Sequence, residues 1–257
     1  NGTSPLTLLA ADNVSISFGG VQAVSDVSFE VAAGQVYSII GPNGAGKTTL
    51  FNLVSRLYDV DAGSITFNGE PITRIPPHQV AERGIARTFQ NTELFEHETV
   101  LKNLLIGHHV HRKTALWEEL LFLPKVREQD LVFRRQVEDV IDLLDLQSYR
   151  EQIIGNLPYG VRKMVEIARA LCLGPRLILL DEPSSGLNPE ETEDLSFWIE
   201  DINEELGITV VMVEHDMNLV NQVSDRVLAL ANGVVIAVGT PSEIQGHPDV
   251  IRAYLGD

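Results

Sequence analysis

The sequence has few basic residues, a single cysteine and no long apolar run. Because Cys172 is the only cysteine, no internal disulfide bond can form, which fits a reducing compartment. Lysine and arginine number 19 against 36 aspartate and glutamate residues, and the formal net charge is -17. This charge argues against a nucleic-acid partner, because phosphate neutralisation requires clustered Lys and Arg side chains.

Apolar runs are also too short for a membrane-spanning helix, which needs about 20 consecutive apolar residues. The longest of them, such as Leu177–Leu180, have the length of a strand. The first nine residues lack the basic region and apolar core of a signal peptide. We therefore expect a cytoplasmic protein whose membrane role, if it has one, comes through partners.

Apolar periodicity along the chain predicts an α/β fold. Val14–Phe18 alternates with period two, and Ser64–Phe67 enters a tight turn at Asn68-Gly69. Residues 100–170 have helical spacing, for example at Val137, Val140, Ile141 and Leu144. Further along, predicted strands at 177–180 and 209–213 alternate with predicted helices at 190–204 and 217–223, and a hairpin follows at 227–238. Alternating strands and helices predict a parallel sheet covered on both faces, with antiparallel strands at its edges.

A phosphate-binding motif follows the apolar strand Val36–Ile40. The stretch 41–49 has the pattern G-x-x-x-x-G-K-[ST], and helical spacing continues beyond it. Its glycines allow backbone N–H groups to converge on phosphates at a helix N-terminus. Lys47 is expected to reach the β- and γ-phosphates of ATP, and the Thr48 hydroxyl to bind Mg²⁺. The residues predicted to bind nucleotide are Gly41, Asn43, Gly44, Ala45, Gly46, Lys47, Thr48 and Thr49.

Two further strands end in polar residues that complete a hydrolytic site. Asp181 and Glu182 close an apolar strand, and ligands bind at the carboxyl ends of parallel strands. Asp181 suits a Mg²⁺ ligand acting through water, and Glu182 suits a base that accepts the proton of the attacking water. His215 follows the next strand and is expected to sense the γ-phosphate and orient the water. The alternatives are a solvated strand exit for the acids and a surface histidine beside a helix cap at Asp216.

Together these motifs resemble the ABC transporter ATPases over nearly the whole chain. The resemblance implies a P-loop NTPase (RecA-like) parallel-sheet core with an antiparallel β edge subdomain and an inserted helical subdomain. We expect the core and β subdomain over 6–90 and 172–240, the helical subdomain over 91–171 and a helical tail over 241–257. It also implies that Phe18 stacks on adenine, and that Gln90 contacts Mg²⁺ and takes part in catalysis.

The resemblance further implies that a second ATPase subunit completes each ATP site. Pro158, Tyr159 and Gly160 occupy the place of the family signature, and Asn188 lies in a loop that crosses to the other subunit. Proline stands where the family usually has serine, and it lacks the hydroxyl through which that serine contacts the γ-phosphate. Asparagine stands where aspartate is usual. The partner ATPase can be identical or different, and the proline favours a different one.

Within the family, the chain is similar to the ATPases of branched-chain amino acid importers. The segments that carry this similarity are 86–90, 182–189, 214–217 and 250–256. The similarity implies ATP hydrolysis coupled to transport, two membrane permease subunits, a solute-binding protein and a peripheral position on the inner membrane face. An exporter subunit and a non-transport ABC ATPase remain alternatives. The apolar helical face at Ala115–Leu123 predicts core packing, with contact to a membrane subunit as the alternative.

Overall fold

A computed structural model describes residues 6–88, 94–111 and 124–255 of the chain, with side chains for these residues except 107–130 and Leu255. Gln90 and the Ala115–Leu123 stretch lie outside the described residues. The chain divides into two compact units, Asn1–Arg87 with Arg176–Asp257, and Thr88–Pro175.

In chain order the described strands are β1 Thr7–Phe18, β2 Val21–Ala32, β3 Val36–Ile40, β4 Ala62–Phe67, β5 Glu70–Pro71, β6 Ile85–Arg87, β7 Leu177–Asp181, β8 Thr209–Val213, β9 Arg226–Ala231 and β10 Val234–Gly239. The described helices are α1 Lys47–Val54, α2 Pro77–Glu82, α3 Val100–His111, α4 Pro124–Leu143, α5 Tyr159–Leu171, α6 Pro189–Glu204, α7 Met217–Val223, α8 Pro241–Gln245 and α9 Pro248–Leu255. None of the helices in the described ranges is long and apolar enough to cross a bilayer.

The larger unit contains a six-stranded sheet in the order β10-β9-β3-β8-β7-β6. Strands β9, β3, β8, β7 and β6 are parallel, and β10 pairs with β9 antiparallel at one edge. Every residue of β3, β7 and β8 is buried. Burial on both faces explains why these strands are apolar runs and do not alternate. The predicted α/β fold, with its parallel core and antiparallel edge, is confirmed.

The same unit contains an antiparallel sheet in the order β2-β1-β4-β5. Strands β1 and β2 each have 12 residues, and β1 extends well beyond Val14–Phe18, the segment predicted from alternation. Their pairing shifts register between Ala11 and Val14, and Asn13 and Asp26 adopt positive φ angles of 48° and 53°. Each such irregularity breaks the period-two pattern, which is why the sequence indicated only part of β1.

The smaller unit is helical and is built around α3, α4 and α5. Val137, Val140, Ile141 and Leu144, which were predicted to share a helix face, are all buried. On α5 the buried side chains recur at Met164, Val165, Ile167, Ala168 and Leu171. This spacing buries one stripe of the helix, and the polar side chains of the opposite face, such as Glu166 and Arg169, are half-buried.

Candidate functional site

Three neighbouring strands, β3, β8 and β7, have their carboxyl ends side by side, and these ends form the carboxyl edge of the six-stranded sheet. Ile39 in β3 is in register with Val213 in β8, and Val213 is in register with Asp181 in β7. The phosphate motif, which begins at Gly41, therefore emerges beside Glu214, the residue after β8, and Asp181 lies at the end of the next strand along. The fold thus brings residues that are more than 100 positions apart in the sequence to the same edge.

The loop between β3 and α1 requires glycine at two positions. Gly41 has φ of 153° and Gly46 has φ of 101°. A Cβ atom on Gly41 would lie 2.2 Å from the carbonyl oxygen of Leu230, and one on Gly46 would lie 2.5 Å from that of Ala23. Both distances are shorter than any real carbon–oxygen contact, so a side chain at either position would displace the backbone.

One residue of the loop is hydrogen-bonded to the turn between β9 and β10, and several other residues of the loop are exposed to solvent. The carbonyl of the buried Ala45 accepts a hydrogen bond from Gly233 N–H at 3.0 Å. Asn43, Gly44 and Thr48 are exposed, and Thr49 is half-buried. The N-cap of α1 is Gly46, no side chain in the described part of the chain caps this helix, and its first turn carries no acid. The first N–H groups of this helix are therefore available to an anion, with the positive end of the helix dipole behind them.

Lys47 places a buried cation beside two acids. The residue is 6% exposed, and its Nζ donates to the carbonyls of Gly41 at 2.7 Å and Pro42 at 3.1 Å. Burial lowers the pKa of the Lys47 ammonium, and the nearby carboxylates of Glu182 and Asp181 act in the opposite direction. Among the described residues, two of its three N–H donors serve the loop itself, so the third can donate to a phosphate oxygen.

Asp181 is a buried carboxylate, and one of its two oxygens accepts a hydrogen bond. Its Oδ2 accepts from Arg87 Nη2 at 2.9 Å. Its Oδ1 is buried and has no hydrogen-bond partner among the described residues. Such an oxygen fits a cation that is held by one or two carboxylates together with waters and phosphates, as Mg²⁺ usually is. Sequence analysis did not identify Arg87 as a site residue.

Glu182 adopts a strained backbone conformation at the end of β7. Its φ is +48°, its N–H donates to the carbonyl of Val213 at 2.9 Å, and it is half-buried. A non-glycine residue in the left-handed region costs about 1–3 kcal/mol, and such residues cluster at active sites. The strain turns the chain directly after Asp181, so that two consecutive acids lie at the sheet edge.

Glu214 is a second residue of the site that sequence analysis did not single out. It is 0% exposed and accepts three backbone N–H groups, from Ser184 at 2.8 Å, His215 at 3.0 Å and Asp216 at 3.3 Å. It thereby joins the segment after β7 to the segment after β8. The available signal was an acid directly after an apolar strand, as at Asp181.

His215 lies at the same edge with an exposed side chain, 58% accessible. The next residue, Asp216, caps α7 by accepting from Asn218 N–H at 2.9 Å and Leu219 N–H at 3.3 Å. The helix cap weighed as an alternative for this segment is therefore present. It does not exclude the predicted role of His215, since the cap uses the neighbouring residue.

Phe18 ends β1 and is 44% exposed. Its ring meets that of Tyr58 edge to face, with centroids 5.1 Å apart. Tyr58 is itself 41% exposed, so the two rings form an exposed aromatic pair. Exposed aromatic faces of this kind can stack on a planar ring. Tyr58, which lies in the loop after α1, was not predicted, because no periodic pattern links it to Phe18 at the end of β1.

The remaining predicted residues lie at helix starts. In the helical unit, Pro158 is the N-cap of α5 without a side-chain cap bond, Tyr159 is 51% exposed and Gly160 is buried. In the larger unit, Asn188 caps α6 in a reciprocal capping box with Glu191. The Asn188 side chain therefore has a structural partner within its own chain.

Comparison with known proteins identifies relatives along the whole chain. The family described as "ABC transporter" matches residues 24–185, and "Branched-chain amino acid ATP-binding cassette transporter" matches residues 234–257. The chain is 40% identical over 250 residues to the "High-affinity branched-chain amino acid transport ATP-binding protein BraF" of Pseudomonas aeruginosa, covering 97% of this chain and 98% of that protein. It is 38% identical to LivG of Escherichia coli K12, which carries the same description, with the same coverage.

Solved structures agree with this result. The crystal structure of an ATP-binding cassette of an ABC transporter, in its ADP conformation, superposes with a TM-score of 0.85 at 31% identity. The match covers 98% of this chain and 99% of that one. The fold predicted around the phosphate loop is therefore that of a known group of nucleotide-binding proteins.

Proposed function

This chain belongs to the ABC transporter family, and we propose that it is the ATP-hydrolysing subunit of an importer for branched-chain or other hydrophobic amino acids. The observation that carries the proposal is the meeting of one buried cation, Lys47, with Asp181 and Glu182 beside a glycine loop at a helix N-terminus. The names of the BraF and LivG relatives, together with the C-terminal family match, support the substrate class.

In this scheme the loop holds the phosphates of ATP. The N–H groups at the start of α1 and the Lys47 ammonium donate to the β- and γ-phosphate oxygens. Thr48, Asp181 and Gln90 would hold Mg²⁺, which neutralises phosphate charge when it is bound. The Phe18 ring stacks on adenine, and its edge-to-face contact with Tyr58 supports the ring.

Glu182 acts as the base. The attacking water transfers its proton to the Glu182 carboxylate as its oxygen bonds to the γ-phosphorus, and the bond from that phosphorus to the ADP oxygen breaks. His215 orients the water from the neighbouring strand end. The strained backbone of Glu182 and the hydrogen bonds of Glu214 hold the two segments in place.

We further propose that each ATP site is completed by a second ABC ATPase subunit. Pro158, Tyr159 and Gly160 would contribute to the partner's site, and Asn188 would lie at the crossing. The assembly would include two membrane permeases and a solute-binding protein, with this subunit peripheral on the inner membrane face. The absence of a membrane-spanning helix among the described residues is consistent with attachment through those permeases.

Glu182→Gln tests the proposal in two assays. Purified protein should retain ATP binding by calorimetry while hydrolysis falls by about 10²–10⁴-fold, because only the base is lost. Cells that lack this chain should recover leucine uptake with the wild type and fail to recover it with the variant.

Glu205→Gln is the matched control, since it makes the same chemical change at an exposed position. Hydrolysis that survives Glu182→Gln would show that another group is the base. Leucine uptake that does not depend on the wild-type chain would contradict the importer and favour the exporter or non-transport alternatives.

A further inference from the structure

Arg87 is a buried cation that the hydrolysis scheme above does not use. It ends β6, beside β7 in the sheet. Its Nη2 donates to Asp181 Oδ2 at 2.9 Å, and its Nη1 donates to Asn52 Oδ1 at 2.7 Å and Ser55 Oγ at 2.8 Å. One guanidinium group therefore joins the carboxylate at the end of β7 to two polar side chains.

Asn52 and Ser55 lie within and at the end of the helix that begins directly after the phosphate loop. Asn52 lies in α1 and Ser55 is its C-cap, and the guanidinium carbon of Arg87 lies 5.7 Å from the ring centroid of Phe51 in the same helix. The planar guanidinium presents donors in fixed directions, so its contacts with the helix set the direction of its contact with Asp181. The orientation of the Asp181 carboxylate thus depends on the helix that starts at the phosphates.

Stability alone does not explain this pair. The side chains of Arg87 and Asp181 are 8% and 1% exposed. The desolvation of two buried charges offsets much of their attraction, so an apolar pair of similar volume would serve packing as well. The arrangement also leaves Asp181 Oδ1 buried and without a hydrogen-bond partner among the described residues. An oxygen left in this way is unfavourable unless a further group binds it.

We propose that Arg87 is the positioning residue for the metal: by holding Oδ2 of Asp181 against α1, it directs Oδ1 toward Mg²⁺ or a Mg²⁺-bound water. The inference rests on the proposed function, since it assumes that nucleotide binds with Mg²⁺. Carboxylates that bind metals are commonly held by hydrogen bonds from a surrounding shell, and loss of such a partner lowers metal affinity by about 10–100-fold.

Calorimetry with ADP, in excess EDTA and in saturating Mg²⁺, tests the inference without any measurement of turnover. The quantity of interest is the ratio of the two dissociation constants, which reports how much Mg²⁺ strengthens binding. In Arg87→Met we expect ADP affinity in EDTA to be retained and the ratio to fall by about 10–100-fold. Arg87→Lys keeps the charge and can donate to Asp181, but it cannot form the planar fork, so its ratio should be intermediate.

Arg56→Met is the matched control, because Arg56 is also a buried arginine. Its donors serve the carbonyls of Ile75 and Tyr58 and the carboxylate of Asp59. Its removal should lower stability and leave the ratio unchanged.

An unchanged ratio in Arg87→Met, or an equal fall in Arg56→Met, would overturn the positioning role. If Arg87→Met does not fold, a wild-type ratio in Arg87→Lys would overturn it. Wild-type protein that binds no ADP in either condition would refute the proposed function, and the inference with it.

Discussion

Glu214→Gln removes one charge and one acceptor oxygen from a side chain that serves three backbone donors. In the wild type, Oε1 accepts from Ser184 N–H, and Oε2 accepts from His215 and Asp216 N–H. The glutamine amide has a single acceptor oxygen. If that oxygen keeps the pair at His215 and Asp216, the amide NH₂ faces the Ser184 N–H, and two donors are then opposed inside the core.

The expected loss follows from this geometry. A hydrogen bond to a charged group contributes about 1.5–3 kcal/mol, and at least one is lost. For a chain of this size, 1 kcal/mol shifts the melting temperature by about 2–4 °C, so the variant should melt about 3–12 °C lower. Thermal unfolding should be followed without nucleotide, because bound ligand would add its own stabilisation.

Glu205→Gln is again the control, since the same change at an exposed position should alter stability by at most about 0.5 kcal/mol. If Glu214→Gln and Glu205→Gln both have the melting temperature of the wild type, then the three backbone donors do not depend on the carboxylate. The reasoning from buried acceptors would be refuted in that case.

Three further predictions concern single residues. Lys47→Ala should weaken MgADP binding in calorimetry by about 10–150-fold, which is the equivalent of losing one hydrogen bond to a charged group. Lys102→Ala, on the exposed face of α3, should leave MgADP binding unchanged. Equal affinities in the two variants would place the nucleotide elsewhere. Burial raises the pKa of the Cys172 thiol to about 12, so a thiol reagent at pH 8 should label it only after urea unfolding, and rapid labelling of native protein would contradict that burial. Pro158→Ser should raise turnover at the partner's phosphate loop in the assembled transporter by about tenfold or more, because serine supplies the hydroxyl donor that proline lacks. A flat or lower rate would indicate that proline is the adapted residue.

Local patterns predicted much of the structure. The apolar runs of β3, β7 and β8 indicated strands buried on both faces, and all of their residues are buried. Both predicted hairpins are present: one turns at Asn68-Gly69, as predicted, and the hairpin predicted at 227–238 turns at Asn232-Gly233, and both asparagines adopt positive φ. Strand β6 was missed, because three residues are too few to show a period.

What the sequence determined by itself is the chemistry that neighbouring residues carry together. The glycine loop before α1 and the consecutive acids at the end of β7 could be identified from the sequence, because each motif consists of residues within a few positions of one another. Tertiary structure alone decided which side chains meet across the fold. Arg87 and Asp181 are 94 positions apart, and Glu214 lies 30 positions from Ser184. Such contacts arise because the ends of different strands lie side by side in the sheet. The order of strands in a sheet produces no periodic pattern of residues, so these contacts could not be predicted from the sequence.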